Sequence, residues 1–184
     1  MIFEITVILI ALLSIIFLQT KNKHTIRRFI VISIGVLLFE YFTQALWFNK
    51  NLESWAYLYL DVSWILTIGW ATIILVSMTI IEYYQKKSSE LKKFILTDLL
   101  VSVIAFFAEW IVLRLGIREY SAPVLKLIEE SPVLFGILPL REALYIPAFI
   151  FLIIAFVKYW EPRMPGLDNI IDDAKKLTKG GKKK

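Results

Sequence analysis

Glu40, Asp61, Glu109 and the Arg141-Glu142 pair lie inside or beside long apolar runs. A charged side chain in hydrocarbon costs at least ~2.5–3.5 kcal/mol on insertion scales, so it persists where it is paired, hydrated or in use. Two kinds of chemistry are open to these acids. A carboxylate beside an arginine stays ionised and ties helices together. A carboxylate without a cation in an apolar cavity takes up a proton and becomes an acid. Arg114, Arg118 and Arg141 are the cations available near the same end of the chain's apolar runs. Glu142, Glu109, Glu40 and Asp61 are therefore the candidate acid–base groups.

Their spacing organises them into stripes. Ser33, Glu40 and Gln44 recur at helical spacing on one segment, Asp61, Ile65, Ile68, Thr72 and Thr79 on the next, and Asp98, Ser102 and Glu109 on a third. At 3.6 residues per turn each set marks one face, and acids on that face turn inward because lipid rejects them. At 1.5 Å per residue Glu40 sits ~17 Å into its segment and Glu109 ~22 Å into its own, while Asp61 and Glu142 enter from the opposite side. All four can share one half of a bilayer. Asp98 and Glu82 fall near the other end, within reach of loop lysines.

The elements that would position these groups are membrane helices. The 184 residues are 58% hydrophobic, against ~45–50% in a typical soluble domain. Runs of about 20 apolar residues cross a bilayer. The sequence predicts an all-α, polytopic bundle of about five spans: residues 2–19, 29–48, 57–83, 94–115 and 133–157, with Pro139 and Pro147 inside the last. Residues 1–160 form the bundle and 161–184 a basic tail. The first run has no basic residue before it and no small-residue cleavage site after it, so a retained helix is expected rather than a signal peptide.

Lysines and arginines cluster at residues 21–28, at 86–93 and beyond 158, so the positive-inside bias puts the N-terminus outside and the C-terminus in the cytoplasm of a multi-pass cell-membrane protein. Trp47, Trp55, Tyr57 and Tyr59 at one face, with Tyr83, Tyr84, Tyr159 and Trp160 at the other, read as aromatic belts. Ser121 and Pro123 open a short helix running to Glu130, a surface-lying connector or a lid. Leu167, Ile170, Ile171, Ala174 and Leu177 precede a run of lysines, a pattern suited to an amphipathic segment on anionic lipid.

Composition removes several classes of function. There is no cysteine and His24 is the one histidine, which excludes thiolate chemistry and multi-histidine metal sites. No cofactor or metal is expected. The net charge of +5 comes from basic residues flanking apolar runs, which fits lipid contact and not nucleic acid. No P-loop, dinucleotide fingerprint, metalloprotease helix or nucleophile elbow is present.

Phe39-Glu40-Tyr41 and Ala108-Glu109-Trp110 open two similar hairpins, each returning through an acid, Asp61 or Glu142, and ending in aromatics. This pattern suits a duplicated hairpin around a central cavity. The stretch Gly116-Ile-Arg-Glu-Tyr120, with Gly136-Ile-Leu-Pro139-Leu-Arg-Glu142-Ala-Leu-Tyr145, resembles the lycopene cyclase domain of carotenoid biosynthesis, in which Gly-x-Trp-x-Tyr precedes Pro-Leu-Glu-Glu and an aromatic. Arg118 replaces that tryptophan and Arg141 the first glutamate.

The resemblance implies a membrane protein that binds or transforms an isoprenoid, by protonating a double bond and quenching the carbocation through ring closure. Glu142 or Glu109 would supply the acid. Trp64, Trp110 and Tyr120 would stabilise positive charge, with Arg141, Arg114 and Tyr145 as further substrate-binding candidates. An arginine beside Glu142 opposes the acid role. Two non-enzymatic expectations stand beside this one. One is a proton or cation path through Glu40, Asp61 and Glu109, which in so few spans calls for a homo-oligomer. The other is a structural subunit of a membrane complex.

Overall fold

A computed structural model describes residues 1–129, 131–136, 138–164, 166 and 167, with the backbone alone at Leu127, Ile128 and Glu142. Helix α1 spans Ile2–Gln19 and α2 Thr25–Thr43. Strand β1 (Trp47–Asn49) follows, then a 3-10 turn at Ser54–Ala56 and the strands β2 (Tyr57–Tyr59) and β3 (Val62–Ser63). Helices α3 (Trp64–Tyr84) and α4 (Glu90–Arg114) come next. Strand β4 (Arg118–Tyr120), short helix α5 (Ala122–Ile128), strands β5 (Val133–Leu134) and β6 (Leu138–Pro139), and helix α6 (Leu140–Trp160) complete the order.

Among the described residues four stretches are long and apolar enough to cross a membrane: Ile2–Gln19, Trp64–Tyr84, Glu90–Arg114 and Ala143–Arg163. Helix α2 has the length, at 19 residues, but holds Arg27, Arg28 and Glu40.

Three expected boundaries move, each for a local reason. The second segment stops at Thr43 rather than Phe48, because residues 47–49 pair antiparallel with 118–120. The third starts at Trp64 rather than Tyr57. Residues 57–63 form the β2–β3 hairpin, and the Ser63 hydroxyl caps α3 by accepting from the Leu66 N–H at 3.5 Å. Asp61 therefore lies in the hairpin turn and not on a helical stripe with Thr72. The fifth starts at Leu140, because residues 133–139 form the β5–β6 hairpin. Pro139 occupies the position just before α6, where its missing N–H costs nothing, and α6 continues through Pro147. Ser121 does precede α5, without a side-chain capping bond. The tail expected to lie on lipid falls almost wholly outside the described residues.

Residues 25–84 and 90–160 repeat one order of elements: long helix, strand, short helix or turn, two-stranded hairpin, long helix. The equivalent strands β1 and β4 are the pair that joins the halves. The long helices close a ring, α2 against α3, α3 against α4, α4 against α6 and α6 against α2, with α1 packed outside on α3 and α2. Glu4 of α1 is buried and accepts the Glu53 N–H at 2.9 Å, which fixes α1 to the β1–β2 connection.

Inside the ring, Val31, Ile32 and Val36 meet Ile74, Leu75, Met78, Val101, Ala105, Ile150, Ile154 and Val157. Gly35 lets α2 and α6 approach closely, since a Cβ there would stand 2.9 Å from the Phe156 ring. One end of the ring is closed by ions. Arg28 donates to Glu82 at 2.6 Å and to Glu161 at 2.9 Å, Lys158 reaches Glu90 at 3.1 Å, and Lys93 bonds Glu90 at 2.7 Å. All four ring helices contribute to this network. The strands close the other end.

Candidate functional site

Between the apolar core and the strand end lies a cavity of about 60 Å³. Helix α2 contributes Val36, Phe39 and Glu40, α3 Trp70 and Ile74, α4 Ala105 and Glu109, and α6 Ile146, Phe149, Ile150 and Ile153. Strands β1 and β4 contribute Trp47 and Arg118. Every element of both repeated halves that reaches the middle of the ring thus places a side chain there.

Arg118 reaches the cavity because α4 ends in a sharp reversal. The Ile117 N–H donates to the Val112 carbonyl at 2.9 Å and the Gly116 N–H to Leu113 at 3.0 Å, the paired bonds of a Schellman turn. Gly116 has φ +67°, which a side chain at that position would disfavour. The reversal folds β4 back on its own helix. The guanidinium of Arg118 then donates to Glu109 at 2.9 Å, and both side chains are buried.

Arg118 is held on two further sides. Its Nε–H donates to Asn49 Oδ1 at 3.1 Å, and its Cζ stands 5.1 Å from the Trp47 ring centroid. Asn49 and Arg118 are direct partners in the β1–β4 register. Asn49 is itself fixed by donating through Nδ2 to the Asp61 carbonyl at 2.6 Å. The β2–β3 turn thus acts on the site through its backbone. The guanidinium is thus anchored to Glu109 and Asn49.

Glu40 is arranged differently. It is 3% exposed, and its Oε2 lies 2.9 Å from the Thr67 hydroxyl. Its Oε1 is buried with no hydrogen-bond donor among the described residues. The Thr67 oxygen also stands 3.0 Å from the Ser63 carbonyl. A hydroxyl has one proton. It goes to Glu40 when Glu40 is ionised, or to Ser63 when a neutral Glu40 donates in its place. Both protonation states of Glu40 therefore have a satisfied partner in Thr67. The acid faces aromatic walls: Phe39 packs on Phe149 at 4.6 Å, and Trp47 meets Phe149 edge-on at 6.2 Å.

The structure brings Glu40 and Glu109 together. Asp61 sits half-buried in its turn, and its side chain is not among those lining the cavity. Glu142 lies in the first turn of α6, and its side chain is outside the description. Arg114 is exposed in the last turn of α4, and Arg141 is exposed with its N–H donating to the Ser131 hydroxyl at 3.1 Å. Trp64 donates its indole N–H to the Trp55 carbonyl at 2.7 Å.

Trp110 is half-buried and away from the cavity lining. Tyr120 is buried beside Trp47 and Val124, next to the site rather than in its wall. Tyr145 is 55% exposed, with its ring 6.3 Å from Phe149. Thr67, Asn49, Trp47, Phe39 and Phe149 form the remaining surroundings, and stripe reasoning singled out none of them. Gly116 was the available signal for Arg118, since glycine after a helix end announces a reversal.

No protein-family model matches the chain, and no curated protein or solved structure is significantly similar to it.

Proposed function

We propose that this chain is a multi-pass membrane protein, with α2 as a fifth span and the strand end outside, whose interior binds the end of an isoprenoid or other lipid chain and acts on it by acid–base chemistry. The single observation carrying the proposal is Glu40: a buried carboxyl in the wall of an apolar, aromatic cavity, with one oxygen that has no hydrogen-bond partner among the described residues.

Size limits what enters. Pockets for drug-sized ligands run to ~300–1,000 Å³. A cavity of about 60 Å³ admits a chain terminus or small head and not a whole long polyene. The remainder of such a molecule would lie along the apolar outer surface of the helices.

Roles follow from partners. Glu40, neutral, gives its proton to a terminal double bond. The cation closes on a second double bond, and a proton returns to a carboxylate, so the sequence is an isomerisation with no net redox change. Phe39, Trp70 and Phe149 line the cavity and would stabilise the cation. Glu109 accepts from Arg118 at 2.9 Å and lines the same cavity, at longer range from the charge. The short Gly116–Tyr120 and Gly136–Tyr145 resemblance to lycopene cyclase domains supports an isoprenoid as the chain in question.

The test is to purify the protein in native lipid particles, identify co-purifying lipids by mass spectrometry, and assay isoprenoid conversion in wild type and Glu40→Gln. An isoprenoid carried by wild type and lost or unconverted in Glu40→Gln is expected. Equal lipid content and equal turnover in both would refute the role given to Glu40.

A further inference from the structure

We infer that the cavity is also a receptor for one lipophilic ammonium group, held by Glu40. It shares the cavity with the proposal above but not its substrate. The side chains lining the cavity include two carboxylates, Glu40 and Glu109, and one guanidinium, Arg118. The guanidinium directs two of its five N–H donors to Glu109 at 2.9 Å and Asn49 at 3.1 Å, and it carries one charge against two carboxylates. An ionised Glu40 therefore leaves the enclosure one positive charge short. An enclosed charge is stable only when compensated and hydrogen-bonded.

Three kinds of cation can complete it: a proton, a metal ion or an organic cation. Calcium and magnesium call for about six or more oxygens, and zinc for about four ligands. Among the described residues no group of three or more acids or histidines could hold a metal. The walls are hydrocarbon and aromatic. A protonated alkylamine fits both demands. One N–H meets the unpaired Oε1 of Glu40, the charge lies among Phe39, Trp70 and Phe149, and the alkyl stem extends among apolar side chains. Anionic heads, phosphate included, meet two carboxylates against one guanidinium.

Binding is measured with the full chain in phosphatidylcholine nanodiscs, using the fluorescence of its tryptophans and empty discs as the baseline. The probes are octylammonium, which brings charge and donor; octanol, which brings a donor alone; and octyltrimethylammonium, which brings charge alone. Octylammonium is expected to bind ~10-fold or more tighter than octanol, with octyltrimethylammonium between them.

Glu40→Gln is expected to abolish the preference for octylammonium over octanol, whereas Glu119→Gln, on the exposed strand surface, leaves it intact. Equal binding of octylammonium and octanol by wild type overturns the inference without any variant. So does a preference that survives Glu40→Gln. Ammonium binding by a protein that neither carries nor converts an isoprenoid supports this inference and removes the substrate proposed above; isoprenoid turnover without ammonium preference does the reverse.

Discussion

Glutamine at Glu109 and glutamine at Glu40 make nearly the same chemical change and are expected to have opposite consequences. Each removes one buried carboxylate and keeps its shape. Glu109→Gln strips Arg118 of its counter-ion while leaving the guanidinium 6% exposed beneath the strands. Breaking one partner of a buried pair costs ~3–5 kcal/mol, because the remaining charge is uncompensated. The lower part of that range is expected, since a glutamine oxygen still accepts a hydrogen bond from Arg118.

Glu40→Gln removes no cation's partner. Its amide oxygen still accepts from Thr67, and its NH₂ group replaces Oε1, which has no hydrogen-bond partner among the described residues. The change in stability is expected to stay within ~1 kcal/mol of wild type, with either sign. The double variant leaves Arg118 with no carboxylate and should be the least stable of the set.

SDS-titrated unfolding from mixed micelles, followed by tryptophan fluorescence, gives the four free energies. A cycle with Arg118→Met should return a coupling of ~2–3 kcal/mol for Glu109 and under ~1 kcal/mol for Glu40. Equal costs for the two single variants would show that Glu40 has a counter-ion of its own, and the asymmetry on which the site depends would be gone.

Other perturbations test the elements that build the site. Gly116→Ala forces a side chain into the left-handed region at φ +67° and should cost ~1–2 kcal/mol, with reduced coupling between Arg118 and Glu109 in the same cycle. Gly35→Ala drives a methyl to 2.9 Å from the Phe156 ring and should cost ~1–3 kcal/mol, most of it recovered by Phe156→Leu. Arg28→Met removes the ties to Glu82 and Glu161 at the far end and should lower stability by ~1–3 kcal/mol while leaving ammonium binding unchanged. Lys50→Ala removes an exposed partner of Glu119 and should cost no more than ~1 kcal/mol in the same unfolding assay.

The helices were legible and their ends were not. Apolar runs long enough to cross a bilayer located α1, α3, α4 and α6 to within a few residues at most ends, because burial of that much hydrocarbon overrides local preference. The boundaries failed where strand residues are as apolar as helix residues. Trp47-Phe48-Asn49 and Tyr57-Leu58-Tyr59 extend a hydropathy run without belonging to the helix. What stops α2 is pairing with a strand some 70 residues away, at Trp47↔Tyr120 and Asn49↔Arg118, and no local signal encodes that. The meeting of Glu40 and Glu109 was legible because inward-facing acids on separate helices have few places to go. Asn49 was not, since a polar residue between a helix and a turn reads as loop. Its role exists only when β1 lies beside β4.

The repeated halves explain why the two acids differ. Each half sends a long helix with a glutamate toward the cavity, followed by a strand. The strands pair antiparallel, so equivalent positions cross over: the first half sets Asn49 opposite Arg118 of the second. Only the second half brings a cation on its strand, and its own reversal at Gly116 returns that cation to its own glutamate. The first half brings an amide, which orients the arginine and carries no charge to Glu40. A symmetric arrangement, with arginine on both strands, would neutralise both acids and leave a packing motif. With one arginine shared between two glutamates and anchored to one of them, Glu40 keeps an oxygen without a hydrogen-bond partner among the described residues. The inequivalence of the two acids thus comes from the difference between the halves, and the fold that they share supplies the enclosure.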